Sequence, residues 1–307
     1  MKPAVLVTGV SGNLGRTLVK LLHRSHRIIG IDRRPFVGKP KDLEIHQLDL
    51  RKKKAEDVFR TGSIPLVVHM GIMHDPRMNE EEHHSFNVVG TTRILEHCVK
   101  YGVKKVVILS SANVYGPSPD NSNFLTEDAP LMAASRFSGV RDLIEVDMLA
   151  HNFFWRHPQI ETVILRPVHI VGPTIKNASS NYLRLRHPWV VAGFDPMVQL
   201  IHVEDVCRAL LLALRPALRG VYNVVGPGEV PLSAIFRELD RVPIPVPQPL
   251  ARSALGLLFR YRLASFPPPE LDHIQFLCAV DGAAWQKEAS WKPHYSMRET
   301  IRSVVAS

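Results

Sequence analysis

The chain has 307 residues, 45% hydrophobic and 22% charged, the balance of an ordinary soluble globular protein with room for one large α/β unit and a smaller lobe. No apolar run reaches the ~20 residues that span a bilayer, the opening Met1–Val10 stretch is cut short by glycine before it makes a signal-peptide core, and three scattered cysteines (Cys98, Cys207, Cys278) read as reduced thiols of a cytoplasmic protein. The net charge of +9 admits anionic partners, but the densest basic run, Arg51 to Lys54, has no interleaved aromatics and reads as a solvated helix start, so no nucleic-acid partner is expected.

The elements alternate along the first half. Ala4–Thr8 is a short apolar strand, followed by a glycine-rich turn and a helical pattern through Leu14, Leu18, Leu21 and Leu22. Residues 28–31, 44–48 and Leu66–His69 read as further strands, and 79–101 as a long helix with Phe86, Val89, Ile94, Leu95 and Cys98 near one face. A fifth strand at 104–109, a helix over 133–155 and a sixth strand at 161–165 follow. Strands alternating with helices predict right-handed crossovers and a parallel sheet covered on both faces: a doubly wound α/β (Rossmann) sheet. After Pro173 the elements shorten. A helix is expected at 203–214 and a strand at 221–225, whereas proline excludes regular helix or central strand over 242–249. The predicted division is 1–173, with 196–225 returning to it, as the dinucleotide-binding domain, and 174–195 plus 226–307 as a smaller C-terminal substrate lobe.

The loop Thr8-Gly9-Val10-Ser11-Gly12-Asn13-Leu14-Gly15 follows a strand and opens a helix at the start of a βαβ unit. In such a context Gly9 permits the tight turn, Gly12 lets backbone approach a pyrophosphate, and Gly15 lets helix and strand pack closely. The anion then meets free N–H groups at the helix N-terminus. Asp32, ending the second strand, suits the ribose hydroxyls of NAD, while Arg33 and Arg34 are residues that accommodate the 2′-phosphate of NADP and leave that cofactor open. Asp49, followed by Leu50, is placed either to touch the adenine edge or to cap its loop.

These residues resemble the extended short-chain dehydrogenase/reductase family, the NAD-dependent epimerases and dehydratases. Val7 to Gly15 is similar to the family's TGxxGxxG, Val67-Val68-His69-Met70-Gly71 to its fourth-strand segment beside the cofactor, and Asn87-Val88-Val89-Gly90-Thr91 to its helix with a structural asparagine. Leu109-Ser110-Ser111-Ala112-Asn113-Val114-Tyr115-Gly116 resembles its active-site strand, and further landmarks are Thr126-Glu127-Asp128, Leu165-Arg166-Pro167, Gly172-Pro173, Ile201 to Val206, Tyr222-Asn223-Val224 and Ser290-Trp291-Lys292-Pro293. The resemblance implies cofactor contacts at Thr8, Gly9, Gly12, Asn13, Leu14, Gly15, Asp32, Arg33, Asp49, Leu50, Met70, Gly71, Asn87, Arg141 and Pro167.

It also implies a serine beside a Tyr-x-x-x-Lys pair, four apart so as to share a helix face. Ser111 takes the serine position, but the tyrosine position falls on Phe137 and the lysine position on Arg141. A phenyl ring has no proton to give, whereas Arg141 retains donors for a ribose diol. His169, just past the sixth strand, and Tyr115 are the two remaining proton-donor candidates, each with a bland alternative: a polar contact in the lobe and a packing role. His69, His74, His83 and His84 read as parts of a strand landmark and a polar helix start, so no metal is expected. The function expected is an NAD-dependent (or NADP-dependent) oxidoreductase acting on a nucleotide-sugar or related hydroxyl or carbonyl substrate through a non-standard donor, with a catalytically degenerate sensor or scaffold as the alternative. The apolar, arginine-studded stretch 250–266 is compatible with a membrane surface or with packing over the substrate channel, and the resemblance implies that the two long helices, 79–101 and 133–155, could pair in a homodimer.

Overall fold

A computed structural model describes residues 2–73, 79–133, 138–261, 271–272 and 274–306. The first half builds β1 (Ala4–Thr8), α1 (Asn13–Leu22), β2 (Arg27–Asp32), β3 (Glu44–Gln47), α2 (Lys53–Gly62), β4 (Leu66–His69), α3 (Glu80–His84), α4 (Gly90–Lys100), β5 (Lys105–Leu109), α5 (Ser138–Arg156) and β6 (Glu161–Pro167). The long helix expected at 79–101 arrives as α3 and α4 joined by one wide π turn, Ser85–Val89. Such turns insert a residue into the helical ladder and rotate the next helical turns about the axis. Here Asn87 is buried in the turn, its amide on the backbone of Met73.

The strands run parallel in the order β3-β2-β1-β4-β5-β6, with β10 (Gly220–Val224) closing the far edge beside β6. Their apolar residues point to both faces, as a sheet covered on two sides requires. One face packs on α1 and on α7 (Val203–Ala213) through Leu18, Leu22, Val206 and Leu210; the other packs on α2, α4 and α5 through Phe59, Ile94 and Phe153. From β1 the chain winds outward to β3 and then returns to β4, so the order reverses between β1 and β4. Ligands of such sheets bind in the crevice at that reversal, outside the carboxyl ends of the strands.

The lobe grows from this same edge. One residue after β6 the chain enters β7 (His169–Val171), then α6 (Ala178–Arg184), β8 (Trp189–Val191) and β9 (Met197–His202). After α7 and β10 come β11 (Glu229–Pro231), α8 (Leu232–Glu238), β12 (Ile244–Val246), α9 (Gln248–Arg260), α10 (Ala283–Ala289) and α11 (Met297–Ser303). β7, β9 and β11 form a small sheet over a core of Tyr182, Leu183, Ile235, Phe236 and Ile301. β9 is therefore paired within this small sheet and not in the main one, and α7 follows it directly onto the main sheet's face. The proline-rich stretch gives β12, a three-residue strand paired with β8 alone, the edge role that proline tolerates, but the stretch's last two residues, Gln248 and Pro249, already open α9, because proline is accommodated in a helix's first turn. Among the described residues, no helix is long and apolar enough to cross a membrane.

Candidate active site

The turn after β1 is built on absent side chains. Gly9 has φ +73°, and a Cβ there would lie 2.7 Å from the carbonyl oxygen of Met70 at the end of β4. A Cβ on Gly15 would lie 2.5 Å from the carbonyl oxygen of Gly9. Gly12 occupies the N-cap of α1, which no side chain caps. The first N–H groups of α1, on Asn13, Leu14 and Gly15, therefore face the crevice as an anion site.

Asp32 is buried at the end of β2 and accepts from the backbone N–H of Ser11 (3.0 Å) and of Arg34 (2.9 Å), which aims its carboxylate over the loop. The two arginines considered for a 2′-phosphate are already engaged by acids. Arg34 lies on Asp32 at 3.2 Å, and Arg33 bonds Glu82 at 3.2 Å while lying 4.6 Å over the Phe86 ring. Asp49 is held by Arg51 at 2.7 Å, which keeps its carboxyl below the usual range against the opposing effect of burial. Leu50 is buried beside Gly71, where any Cβ would meet its methyl at 2.9 Å.

The base of the crevice is a chain of hydrogen bonds between β1 and β4. The Thr8 hydroxyl oxygen accepts from the N–H of Met70 (3.1 Å) and of Gly71 (3.0 Å), so its one proton goes to His69 Nδ1 at 2.7 Å. His69 then carries its own proton on Nε2, which it donates to Thr91 at 2.9 Å. Burial alone pushes this imidazole down to about 4, so it stays neutral.

A second network locks the ends of β5 and β6. Ser110 donates to Asp147 (2.5 Å), and Asp147 accepts a two-pronged ion pair from Arg166 at 2.9 and 2.6 Å. Burial opposes the charge on Arg166, but the bonds to Asp147 outweigh it and hold the pKa above the ordinary arginine value. Arg166 also donates to the Tyr115 oxygen at 2.8 Å, and Tyr115 donates to Asn223 Oδ1 at 2.8 Å. The Tyr115 hydroxyl is thus saturated inside the core, and burial raises its pKa. This corrects its candidacy as a proton donor: its proton is committed to Asn223. Arg166 and Asn223 stood in the sequence only as landmarks. The bonds of Arg166 to Asp147 and of Asn223 to Tyr115 had no local signal, because each joins residues on different elements.

Ser111 sits at the mouth of this network. Its Oγ accepts from the N–H of Asn113 (3.1 Å), and among the described residues its own proton has no acceptor. α5 meets the strand ends through Asp147 and through Leu143, which is buried with Ala112, Val114 and Tyr115. Residues four apart on a helix lie roughly 40° from one another and residues six apart roughly 120°. Arg141 therefore lies off the face that carries Leu143 and Asp147, and it is exposed. Phe137 and His74 lie outside the described residues. His83 and His84 both bond Asp142, at 2.6 and 3.0 Å, so α3 is pinned to the first turns of α5. Asn87 bonds Met73 and His83. His169 opens β7, two residues beyond Pro167, with Ser179 on Nδ1 at 3.1 Å.

The cradle can thus hold a dinucleotide, and comparison with known proteins decides the kind. A sequence profile of the NAD dependent epimerase/dehydratase family matches residues 5–225. The chain belongs to that family. NAD is the family's cofactor, and the uncapped α1 terminus, the Cβ-free loop and Asp32 fit it. This epimerase-family chain is 29% identical over 256 residues to an uncharacterized protein of Mycobacterium tuberculosis, covering 79% of the chain and 67% of that relative. It is 33% identical over 160 residues to UDP-glucose 4-epimerase of Bacillus subtilis, 46% of each. The crystal structure of Thermus thermophilus UDP-glucose 4-epimerase in complex with NAD superposes with a TM-score of 0.75 at 22% identity, over 98% of this chain and 97% of that one.

Proposed function

We propose that this member of the family is an NAD-dependent enzyme of the cytoplasm that oxidises or isomerises a carbinol centre on a nucleotide-sugar or a related hydroxyl or carbonyl compound. The observation that carries the reading is the loop Thr8–Gly15 at the sheet's reversal point, with Asp32 aimed over it. Asn13, Leu14 and Gly15 would meet the pyrophosphate, Asp32 the adenosine ribose, Asp49 and Leu50 the adenine side, and Met70, Gly71 and Pro167 the path toward the nicotinamide. When bound, NAD supplies two-electron redox chemistry. The names of the relatives support the nucleotide-sugar class.

In this reading Ser111 orients the substrate oxygen through its uncommitted proton, and His169 exchanges a proton with that oxygen. Imidazole gives up and regains a proton in neutral water, and Ser179 fixes the ring's orientation. On the face of α5 that meets the strand ends, Leu143 has no proton to give and Asp147 is committed to Ser110 and Arg166, so the proton exchange is assigned to His169. General acid–base help of this kind is worth about 10²–10⁴-fold in rate.

The test is to incubate the purified protein with NAD and a panel of UDP- and dTDP-sugars, following interconversion by chromatography and NADH by absorbance. Turnover that falls about 100-fold or more in His169→Gln, with NAD affinity unchanged, is expected. Turnover untouched by that change sinks the donor assignment. Tight NAD binding with no turnover on any member of the panel would instead identify a dinucleotide-binding sensor or scaffold.

A further inference from the structure

α9 divides its apolar residues between two faces. Ala251 and Leu255 are buried against Leu271, while Leu250, Leu257 and Tyr261 are 62%, 58% and 70% exposed. At roughly 100° per residue these three lie within about 40° of one another, so they form one outward stripe. Val242 and Ile244, just upstream, are also open at 62% and 43%. Five of the sixteen large exposed hydrophobics of the described chain thus fall between Val242 and Tyr261. Scattered single exposures need no explanation, but a concentrated set does.

Charge says what covers the stripe. From Arg241 to Pro269 the sequence has four arginines, Arg241, Arg252, Arg260 and Arg262, and no acid, within a chain of net charge +9. Arg252 is turned to the far side of α9 and paired with Asp272, whereas Arg260 flanks the stripe and is exposed. The part of the stretch over 262–266 lies outside the described residues. A helix with one face seated on its own lobe, an open apolar stripe and an exposed arginine beside it, in a stretch of sequence that carries no acid, has the composition of a segment that lies in the headgroup plane of an anionic bilayer.

We infer that α9 docks this protein on anionic lipid surfaces, Leu250, Leu257 and Tyr261 entering the interface and Arg260 meeting the headgroups. The other sector of α9 stays on the lobe through Ala251 and Leu255, so docking requires no unfolding.

The experiment is co-sedimentation of the full chain with vesicles of phosphatidylcholine plus phosphatidylglycerol, against phosphatidylcholine alone. Binding to the anionic vesicles only, weakening as salt rises, is expected. The variant Leu250→Ser/Leu257→Ser/Tyr261→Ser should lose at least about tenfold in affinity while keeping the far-UV circular dichroism of the native chain. If that triple variant fails to fold, Leu250→Ser and Arg260→Glu singly give the same reading with smaller losses. Absence of binding by the native chain overturns the inference. Equal binding by the variants also overturns it, because bulk charge would then suffice. So does a native dimer in sedimentation velocity that the triple variant converts to monomer, since a second copy would then be the occupant.

Discussion

At the scale of single residues, the site depends on two positions where ordinary chemistry would fail. Gly9 combines a φ of +73° with a carbonyl oxygen 2.7 Å from any Cβ. Gly9→Ala must move either β1 or the Met70 peptide, and we expect a loss of about 1–3 kcal/mol in unfolding free energy together with loss of NAD binding. Urea unfolding and fluorescence titration with NADH would read the two effects. His69 makes a pH prediction. Its pKa falls from the ordinary 6.5 to about 4 because it is buried. Below 6.5 the unfolded chain takes up a proton that the folded chain refuses until about 4, so stability drops as pH falls through that window. The whole shift corresponds to about 3 kcal/mol. Unfolding free energies measured across this range should lose much of their slope in His69→Gln; an unchanged slope would assign the acid sensitivity to other groups.

At the scale of elements, β5, β6 and α5 are joined by Ser110, Asp147 and Arg166. Asp147→Ala would leave a buried guanidinium without its counter-charge, an error worth about 3–5 kcal/mol. The pair Asp147→Leu with Arg166→Met should cost less than Asp147→Ala alone, because it removes both charges together. Equal or greater loss in the pair would mean that the bonds to Tyr115 and to the Glu127 backbone carry the stability instead. The same bond explains what the sequence made legible. The strands, the glycine turn and Asp32 were readable because period, turn chemistry and chain order are local properties. The rotation of α5 was not, because it is set by Asp147 reaching Arg166 on another strand. Counting landmarks put the Tyr-x-x-x-Lys positions on Phe137, outside the described residues, and on Arg141, which is exposed, while Leu143 is buried with Ala112 and Val114. The sealed environment of Tyr115 was hidden for the same reason, since its partner Asn223 arrives on β10, more than a hundred residues later.

At the scale of the molecule, the small sheet and the main one are tied together beside the crevice: β7 starts one residue beyond β6, and α7, which directly follows β9, packs on α1 against the main sheet. The C-terminal segment returns to this junction, where buried Asp205 accepts from the N–H groups of His294 (3.0 Å) and Tyr295 (3.2 Å). A ligand bound only by the folded crevice should therefore stabilise sheet and lobe together. At 100 times its dissociation constant it adds about 2.7 kcal/mol, a rise of several degrees in a single thermal transition. The choice of dinucleotide follows from the adenosine end. Asp32 would repel a 2′-phosphate, and the guanidinium groups of Arg33 and Arg34 are held by Glu82 and by Asp32 itself. NADP should thus raise the midpoint less than NAD at equal concentration, with an affinity lower by about tenfold or more. Asp32→Ala removes the repulsion and also frees Arg34 to meet the phosphate, so the preference should narrow or invert in that variant. Equal midpoints for NAD and NADP in the native chain would mean that Arg34 leaves Asp32 when the phosphate arrives.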